Sequence, residues 1–241
     1  MTTDKIAEKI AKLLRKAEST DSPHEAEALT AAAEKLMLKH AIDRAMLDLD
    51  PKHKQDKIVA KPFTIEGPEF KRRAKVDMIH AIALALGLRT YYTPGKKVTQ
   101  MYIVGFESDV DDALTLVASL NLQAEVALNH WWTKTLEPHE RSIGYSRMIK
   151  HRDFIVGFGH GASSRIREER KSAADEVGTG AELVLADRTK KIDEYVNTLG
   201  LRKSRSGNGR NDFDAAGAGS AAGRNANLGR KDLTQGRGIT A

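Results

Sequence analysis

Two groups of Lys and Arg are the residues of this chain best suited to chemistry, because their side chains bind phosphate groups. The first group lies in the segment 202–210, where Arg202, Lys203, Arg205 and Arg210 supply four positive charges and no acidic residue intervenes. Its Gly and Ser residues predict a flexible backbone that can follow a phosphate chain and gain affinity from released counterions. No aromatic residue is interleaved, so base stacking by this segment is not expected. The alternative interpretation is a tail that only keeps the protein in solution.

The second group consists of Lys71, Arg72 and Lys75. These residues belong to a segment, 68–86, that starts with Gly67-Pro68-Glu69 and whose apolar residues recur at helical spacing. We expect the apolar residues to form the inner face of a helix and the three basic side chains to lie on its outer face. Such a patch is either a second phosphate contact or an ordinary solvated helix face.

Residues for metal or nucleophile chemistry are not apparent. The absence of cysteine excludes a disulfide framework, a thiolate zinc site and a cysteine nucleophile. The eight histidines form neither His-Glu-x-x-His nor His-x-His, and His24 and Glu25 are adjacent, which on a helix separates them by about 100°. The Gly-x-Gly runs at 157–159 and 217–223 lack the context of a phosphate loop. We therefore predict no catalytic residue, no metal ligand and no cofactor.

The stretch from Gln100 to Trp132 is the element on which the rest of the chain is expected to pack. Residues 101–104 are β-branched, aromatic or apolar and predict a strand, which Gly105 should break. Ser108 is then expected to cap a long helix, with Asp111 completing a capping box. Apolar residues at steps of three and four continue this helix to the two tryptophans.

Further elements follow from the same kinds of pattern. Residues 58–65 predict a strand, and residues 89–93 predict a second strand that forms a hairpin with 98–104 through Pro94-Gly95-Lys96-Lys97. A helix is expected over 145–171. The short apolar run Leu183-Val184-Leu185 predicts a strand, after which Asp187 should cap a helix that ends at Gly200. A short helix is possible at 214–225, between a linker at 201–213 and disorder at 226–241.

Glycines within the predicted 145–171 helix indicate a close contact between helices. Gly157 and Gly161 are four residues apart and therefore lie on one face, where another backbone can approach. Trp131 continues an apolar stripe, whereas Trp132 is expected either to cover the groove at these glycines or to lie at an interface.

Composition and charge narrow the possible classes of protein. The chain of 241 residues has a formal net charge of +6, of which residues 201–241 contribute +5 through eight Lys/Arg against three Asp. The basic character is therefore a property of the tail. No apolar run approaches the ~20 residues of a membrane span, and the N-terminus has no signal-peptide core. With the absence of cysteine, these features are consistent with a cytoplasmic protein.

The N-terminal region resembles a known family. A helix is expected over 4–18, and Ser22, Pro23 and Glu25 mark the start of a second helix that runs to about His40. The segment from Lys5, including Ala-Glu-Ser-Thr-Asp-Ser-Pro-His-Glu-Ala, resembles the phage and bacterial domain of unknown function 2786 over residues 4–45. Residues 103–110, 154–167 and the C-terminus are similar to the region that often follows this module in phage proteins. The resemblance implies a phage or prophage origin and an α+β fold, but no activity.

The sequence therefore predicts an α+β protein in four parts. These are a helical hairpin module at 1–47, a linker at 48–57, a mostly helical domain with a small sheet at 58–200, and a largely flexible basic tail at 201–241. The leading functional hypothesis is a non-enzymatic phage accessory protein that contacts nucleic acid through phosphates with little sequence specificity. One alternative is a module that docks on a host protein through its helical hairpin. A third is a hydrolase whose site is not recognisable.

Overall fold

The computed structural model describes residues 56–136, 144–177, 179–202 and 211–228, together with ten separate positions between 12 and 36. In the continuous ranges the elements are, in chain order, β1 (Ile58–Ile65), α1 (Glu69–Ala85), β2 (Arg89–Pro94), β3 (Thr99–Phe106), α2 (Glu107–His130), a π-helical turn (Trp131–Thr135), α3 (Gly144–Val177), α4 (Thr179–Thr198) and α5 (Phe213–Arg224). A small antiparallel sheet is combined with long helices, so the predicted α+β class is confirmed.

The sheet has the strand order β1-β3-β2, with both pairs antiparallel. The predicted strands and hairpin are therefore confirmed, but the expected break at Gly105 is wrong, because Gly105 pairs with Val59 inside β3. A Cβ atom at Gly105 would collide with the side chain of Leu88. This glycine is explained by close packing and not by the end of a strand.

The main hydrophobic core lies on one face of the sheet. Helices α1, α2 and α3 cover this face, and α5 joins them from the far side of α3. Fully buried side chains of this core include Met78, Ile79, Ile82, Met101, Ile103, Leu120, Phe154 and Phe158. A second, smaller cluster lies on the opposite face of the sheet, where Ile192 of α4 packs with Val104 and Phe106.

Helix α2 begins differently from the prediction. It starts at Glu107, directly after β3, and Ser108 is inside its first turn. The backbone N–H and the hydroxyl of Ser108 both donate to the Asp56 carboxylate, at 3.1 and 2.6 Å. Asp111 pairs with Lys61 of β1 at 2.7 Å. The capping box at Ser108 and Asp111 is therefore wrong, because a distant aspartate satisfies the first turn.

Helix α4 replaces the strand predicted at residues 183–185. Val184 is buried while Leu183 is exposed, and Asp187 lies in the interior of the helix and does not cap it. A run of three apolar residues is too short to distinguish the period of a strand from that of a helix. The predicted end at Gly200 is confirmed, since this residue adopts a φ of 61° beyond the last turn.

Helices α3 and α5 interlock through small residues. Cβ atoms at Gly157 and Gly161 would collide with the backbone carbonyls of Ala216 and Ser220, so the predicted close approach is confirmed. The element that approaches is α5. Trp132 does not cover these glycines; it meets the ring of His151 edge-on, with ring centroids 4.7 Å apart.

Side chains of the domain hold both ends of α5. Asp153 accepts a hydrogen bond from the Asp212 backbone N–H at 2.6 Å, and Asp212 caps the helix by accepting from the N–H of Ala215. Beyond the helix, the backbone of Asn227 exchanges two hydrogen bonds with the Gln123 side chain, both at 2.8 Å. Residues 213–228 are therefore part of the packed fold. The short helix predicted at 214–225 is confirmed, whereas the disorder predicted from residue 226 is wrong for residues 226–228.

In the N-terminal module the structure describes separate positions. Lys12, Leu13, Lys16 and Ser19 are helical, Thr20 is not, and Glu25, Ala28, Leu29, Ala32 and Leu36 are helical again. The Glu25 carboxylate accepts a hydrogen bond from Thr20 at 2.8 Å and pairs with Lys16 at 3.4 Å. The predicted cap at Ser22, the rest of the hairpin, most of the linker and residues 229–241 lie outside the described residues.

Candidate nucleic-acid interface

The basic segment 202–210 begins at the end of α4. Arg202 is exposed and follows the last turn of that helix by four residues. Lys203, Arg205 and Arg210 lie outside the described residues. The position of α4 therefore determines where the segment starts.

Helix α4 crosses the second face of the sheet against the direction of β3. The guanidinium of Arg188 lies 3.6 Å from the ring centroid of Phe106, at the end of β3, and its Nη2 donates to Asp109 at 2.7 Å. One turn later, Asp193 forms a bidentate pair with Arg89, with contacts of 2.6 and 3.0 Å. Tyr195 is then close enough to Tyr91 to affect its pKa. Successive turns of α4 thus meet progressively earlier parts of β3.

Tyr91 packs against the cluster that Ile192 of α4 forms with Val104 and Phe106. Beside α4, Tyr91 and other polar and aromatic side chains of the same face form a group that we call the open half of the sheet. Its members by strand register are Pro62, Thr64, Tyr91, Thr93, Gln100 and Tyr102. Pro62, Thr64 and Thr93 are exposed, and both tyrosines are half-buried. The hydroxyl of Thr64 donates to Oε1 of Gln100 at 3.0 Å, so part of the polar surface is already ordered.

Tyr91 and Tyr102 form a stacked pair in the open half. They are directly opposite in the β2–β3 register, with ring centroids 4.7 Å apart and an interplanar angle of 11°. Burial, together with the nearby phenols of Tyr102 and Tyr195, raises the pKa of Tyr91. The Tyr91 ring therefore presents a neutral aromatic surface at physiological pH.

Arg72 does not lie on the outer face of its helix, as the sequence predicted. Its side chain is buried below the β2–β3 turn (residues 95–98) and donates to backbone carbonyls of Gly67, Gly95, Lys96 and Lys97 and to the Thr99 hydroxyl, at 2.8–3.3 Å. The first turn of α1 faces this loop, and the guanidinium supplies the donors for its carbonyls. The guanidinium therefore stabilises the turn, and it is not available to a phosphate.

Lys71 and Lys75 share one carboxylate. Their ammonium groups lie 2.8 and 3.2 Å from the two oxygens of Glu125 in α2, and Lys75 is buried. Burial opposes ionisation of Glu125, but the hydrogen bonds and charges of the two lysines outweigh it and lower the pKa of this carboxylate. The prediction of an outer-face basic patch is therefore wrong for Lys75 as well as for Arg72, and the charge of Lys71 is engaged within the fold.

His151 adjoins this ion-pair cluster and is a buried residue that the sequence did not single out. Burial, assisted by the charges of Lys71 and Arg147, lowers its pKa to about 4. Its Nε2 atom has no hydrogen-bond partner within the described ranges. The ring is held instead against Trp132, over which the Arg147 guanidinium lies at 5.7 Å. His151 is therefore a neutral, structural side chain at physiological pH.

Two lysines at the tip of the hairpin remain exposed. Lys96 and Lys97 occupy the β2–β3 turn, next to the open half of the sheet, and their backbone carbonyls are fixed by Arg72. Glu66, which follows β1, and Glu69, in the first turn of α1, are the exposed acids described at this end of the sheet, and Glu69 pairs with Arg73 at 3.4 Å.

A cleft of about 770 Å³ between α3 and α4 is a less suitable place for an anion. Its lining includes the cations Arg167, Arg170, Lys171 and Lys190 but also the acids Glu182, Asp193 and Glu194. Asp193 is engaged by Arg89, and Arg170 donates to the carbonyl of Ala85 at 3.2 Å. Charges of both signs are therefore mixed throughout the cleft.

Neither a metal cluster nor a membrane span is present in the described part of the chain. Within it, no three or more His, Asp or Glu side chains are grouped so as to hold a metal ion. In the same residues, no helix has the length and apolarity that crossing a bilayer requires.

Comparison with known proteins identifies the N-terminal module. Residues 5–44 match the family described as protein of unknown function (DUF2786). The resemblance seen over residues 4–45 is thereby confirmed. No curated protein and no solved structure matches the chain. The DUF2786 match covers the N-terminal module and leaves the sheet, the long helices and the basic segment outside it.

The stacked tyrosines are the site residues that sequence reasoning missed, although a signal for them was present. The hairpin predicted through Pro94-Gly95-Lys96-Lys97 places Tyr91 and Tyr102 on the same face of the sheet but sets Tyr91 opposite Gln100. In the structure Pro94 pairs with Thr99, and this register brings Tyr91 opposite Tyr102. Residues directly opposite in an antiparallel pair lie on one face of the sheet. The predicted hairpin therefore places both rings on one face, but its loop is shifted by one residue and does not pair them.

Proposed function

We propose that this protein is a non-enzymatic accessory protein that binds nucleic acid mainly through phosphates and with little sequence specificity. The observation that carries the proposal is the exposed position of Arg202 at the end of α4, where the basic segment 202–210 starts. Four positive charges within nine residues can neutralise successive phosphates and release their counterions. Phosphate contacts of this kind carry no direct sequence information.

The proposal assigns a second group of phosphate contacts to the hairpin tip. Lys96 and Lys97 are exposed on a turn that Arg72 holds rigid, whereas Lys71 and Lys75 are engaged by Glu125. The proposal places Arg202 and the lysines of the tip at the same end of the sheet, towards which α4 runs. A strand held between them crosses the open half of the sheet.

The setting of this activity is part of the proposal. The resemblance of the N-terminal module and of the later segments to phage proteins is the basis on which we propose a phage or prophage protein that acts in the cytoplasm of the bacterial host. Docking of the N-terminal module on a host protein is the competing hypothesis, and the two differ in their dependence on salt.

The experiment is a binding assay with purified full-length protein and labelled mixed-sequence duplex DNA, single-stranded DNA and RNA, carried out at several salt concentrations. The proposal predicts binding that falls steeply between about 50 and 200 mM salt and is similar for unrelated sequences. Absence of binding to all of these probes at low salt would refute it. Docking on a protein through apolar burial would instead survive both nuclease treatment and high salt.

A further inference from the structure

We propose that the open half of the sheet is a stacking platform for unpaired bases, so that the protein prefers single-stranded to double-stranded nucleic acid. This inference rests on the proposed function and adds to it the class of substrate. The basic segment alone could contact a duplex or a single strand. The tyrosine pair distinguishes the two, because bases inside a duplex have no free face to stack on a side chain.

The geometry of the two rings supports stacking. Tyr91 and Tyr102 are nearly parallel, with an interplanar angle of 11° and a centroid separation of 4.7 Å. Tyr91 packs against the cluster of Ile192, Val104 and Phe106, whereas Tyr102 is not part of that cluster. A planar base can therefore stack at the Tyr102 side of the pair, away from α4. Stacking of bases on aromatic side chains tolerates every sequence, because each base has a π-face.

The polar surroundings are also suitable for a nucleic-acid strand. Thr64, Thr93 and Gln100 belong to the same face and offer hydroxyl and amide groups to base edges or sugars. Because these side chains lie next to the rings, bases on the platform meet neutral hydrogen-bonding groups and not charges. This arrangement separates base contacts on the sheet from phosphate contacts at its margin.

The charges around the open half of the sheet indicate which kind of ligand binds there. Lys96 and Lys97 at the hairpin tip are exposed cations beside the open half, and the exposed acids described at this end are Glu66 and Glu69, of which Glu69 pairs with Arg73. An aromatic surface bordered by cations complements a chain of stacked bases with a phosphate backbone. A purely apolar partner would instead be expected to meet an uncharged border.

The platform is rigid before any ligand arrives. Arg72 holds the carbonyls of Gly95, Lys96 and Lys97 and so fixes both the turn and the strands that carry the tyrosines. On the other side, the Arg89–Asp193 pair and the cluster of Ile192 with Val104 fix α4 against the sheet. Little conformational entropy remains to be lost there on binding.

The test compares full-length variants at one position and a matched control on the same hairpin. Tyr102→Leu keeps an apolar side chain but removes the flat ring, and Tyr102→Phe keeps the ring. Tyr92→Leu is the control, because Tyr92 neighbours Tyr91 but pairs with Met101, whose side chain lies on the opposite face of the sheet. Each protein is titrated with a mixed-sequence single-stranded DNA 20-mer and with the corresponding duplex at several salt concentrations.

The platform predicts that Tyr102→Leu weakens single-strand binding roughly five- to hundred-fold, as expected when one base no longer stacks on an aromatic ring. The salt slope should stay that of the wild type, because the cations that meet the phosphates are unchanged. Tyr102→Phe and Tyr92→Leu should bind the single strand like the wild type, and the duplex affinity should not change in any variant. Photocrosslinking of a bromouracil-containing strand to the wild-type protein should label the peptides that contain Tyr91 or Tyr102.

Equal single-strand affinity of Tyr102→Leu and wild type would overturn the inference while leaving the proposed function intact. The same holds for crosslinks confined to other peptides, a result that does not depend on the folding of any variant. A lowered unfolding midpoint of Tyr102→Leu without a loss of single-strand affinity would also overturn it, and would assign the rings to packing with another part of the chain or with a second copy. Absence of nucleic-acid binding by the wild type would refute both the inference and the proposed function.

Discussion

Gly161 of α3 lies directly against the backbone carbonyl of Ser220 in α5, so closely that a Cβ atom has no room between the two helices. The contact is reciprocal, because Gly219 and Gly223 of α5 lie equally close to the carbonyls of Phe154 and Phe158. Paired small residues four apart allow two helix backbones to approach along their length. This interlock makes α5 part of the domain. Because α5 follows the basic segment in the chain, the position of α5 also fixes where that segment must end.

Substitution of Gly161 by Ala should lower the free energy of unfolding by about 2 kcal/mol, because the methyl group must push α5 away from α3. Gly217→Ala is the matched control on α5. A Cβ atom at Gly217 meets nothing within 4 Å, so this change should stabilise the protein by about 0.5–1 kcal/mol through helix propensity. Chemical denaturation of the three proteins gives the comparison. Equal stability of Gly161→Ala and Gly217→Ala would show that the helices do not interlock.

Replacing Arg72 by Lys should destabilise the protein by about 3 kcal/mol, because a single ammonium cannot reach the four carbonyls and the hydroxyl that the guanidinium serves. Arg73→Ala provides the control at the adjacent position. The Arg73 side chain is 80% exposed and pairs with the equally exposed Glu69 one turn away, so a change within about 0.5 kcal/mol is expected. Thermal and urea unfolding measure both effects. If Arg72→Lys were as stable as Arg73→Ala, the guanidinium would not be needed by the turn.

Acid should destabilise the fold through His151. Its folded pKa of about 4 lies below the ordinary value of 6.5, so the unfolded chain takes up this proton at higher pH than the folded one. The contribution of the neutral ring is complete above pH 6.5 and is lost as the pH falls towards 4. By linkage, this loss reaches about 3 kcal/mol when the folded pKa has been passed.

The measurement is the free energy of unfolding of wild type and His151→Phe between about pH 7.5 and 4.5, a range that brackets the ordinary histidine pKa. The phenylalanine keeps a ring beside Trp132 but cannot be protonated, so its stability should decline less over this range. Glu125, whose pKa is lowered, loses its contribution at more acidic pH and does not account for the difference. Parallel pH profiles of the two proteins would contradict the assignment of His151.

Local sequence patterns are sufficient to predict the strands of the sheet. They fail where an element depends on a contact with a residue that is distant in the chain. The strands at 58–65 and 89–93 carry β-branched and aromatic residues between turn residues, and the structure has them at nearly the same bounds. The predicted start of α2 is wrong because its cap is Asp56, which lies 52 residues before Ser108. Local propensity cannot indicate such a partner.

The residues of the candidate site show the same difference between local sequence patterns and contacts that are distant in the chain. From its charge alone, Arg72 is predicted to be a phosphate ligand. The carbonyls that accept its hydrogen bonds belong to a turn 23 to 25 residues away, which meets α1 only after folding. The glycines at 157 and 161 correctly indicate a close helix contact. Their partner is not recognisable from the sequence, because the Gly and Ala content of residues 213–224 is typical of flexible segments as well as of tightly packed helices.

The phosphate-binding role of the basic segment 202–210 is tested most directly by a salt titration with mixed-sequence duplex DNA. The variant carries Gln in place of Arg202, Lys203, Arg205 and Arg210 in the full-length chain, since a truncation at residue 200 would remove α5 from the core. The control carries Gln at four exposed cations elsewhere, which changes the net charge equally: Lys57, Arg73, Lys134 and Lys191.

The account predicts that the segment variant binds more weakly and that the slope of log K against log salt flattens by up to about 3.6, from ~0.9 for each phosphate that the segment no longer neutralises. The control variant should keep the wild-type slope. Equal affinity and equal slope for the segment variant and the wild type would contradict the account.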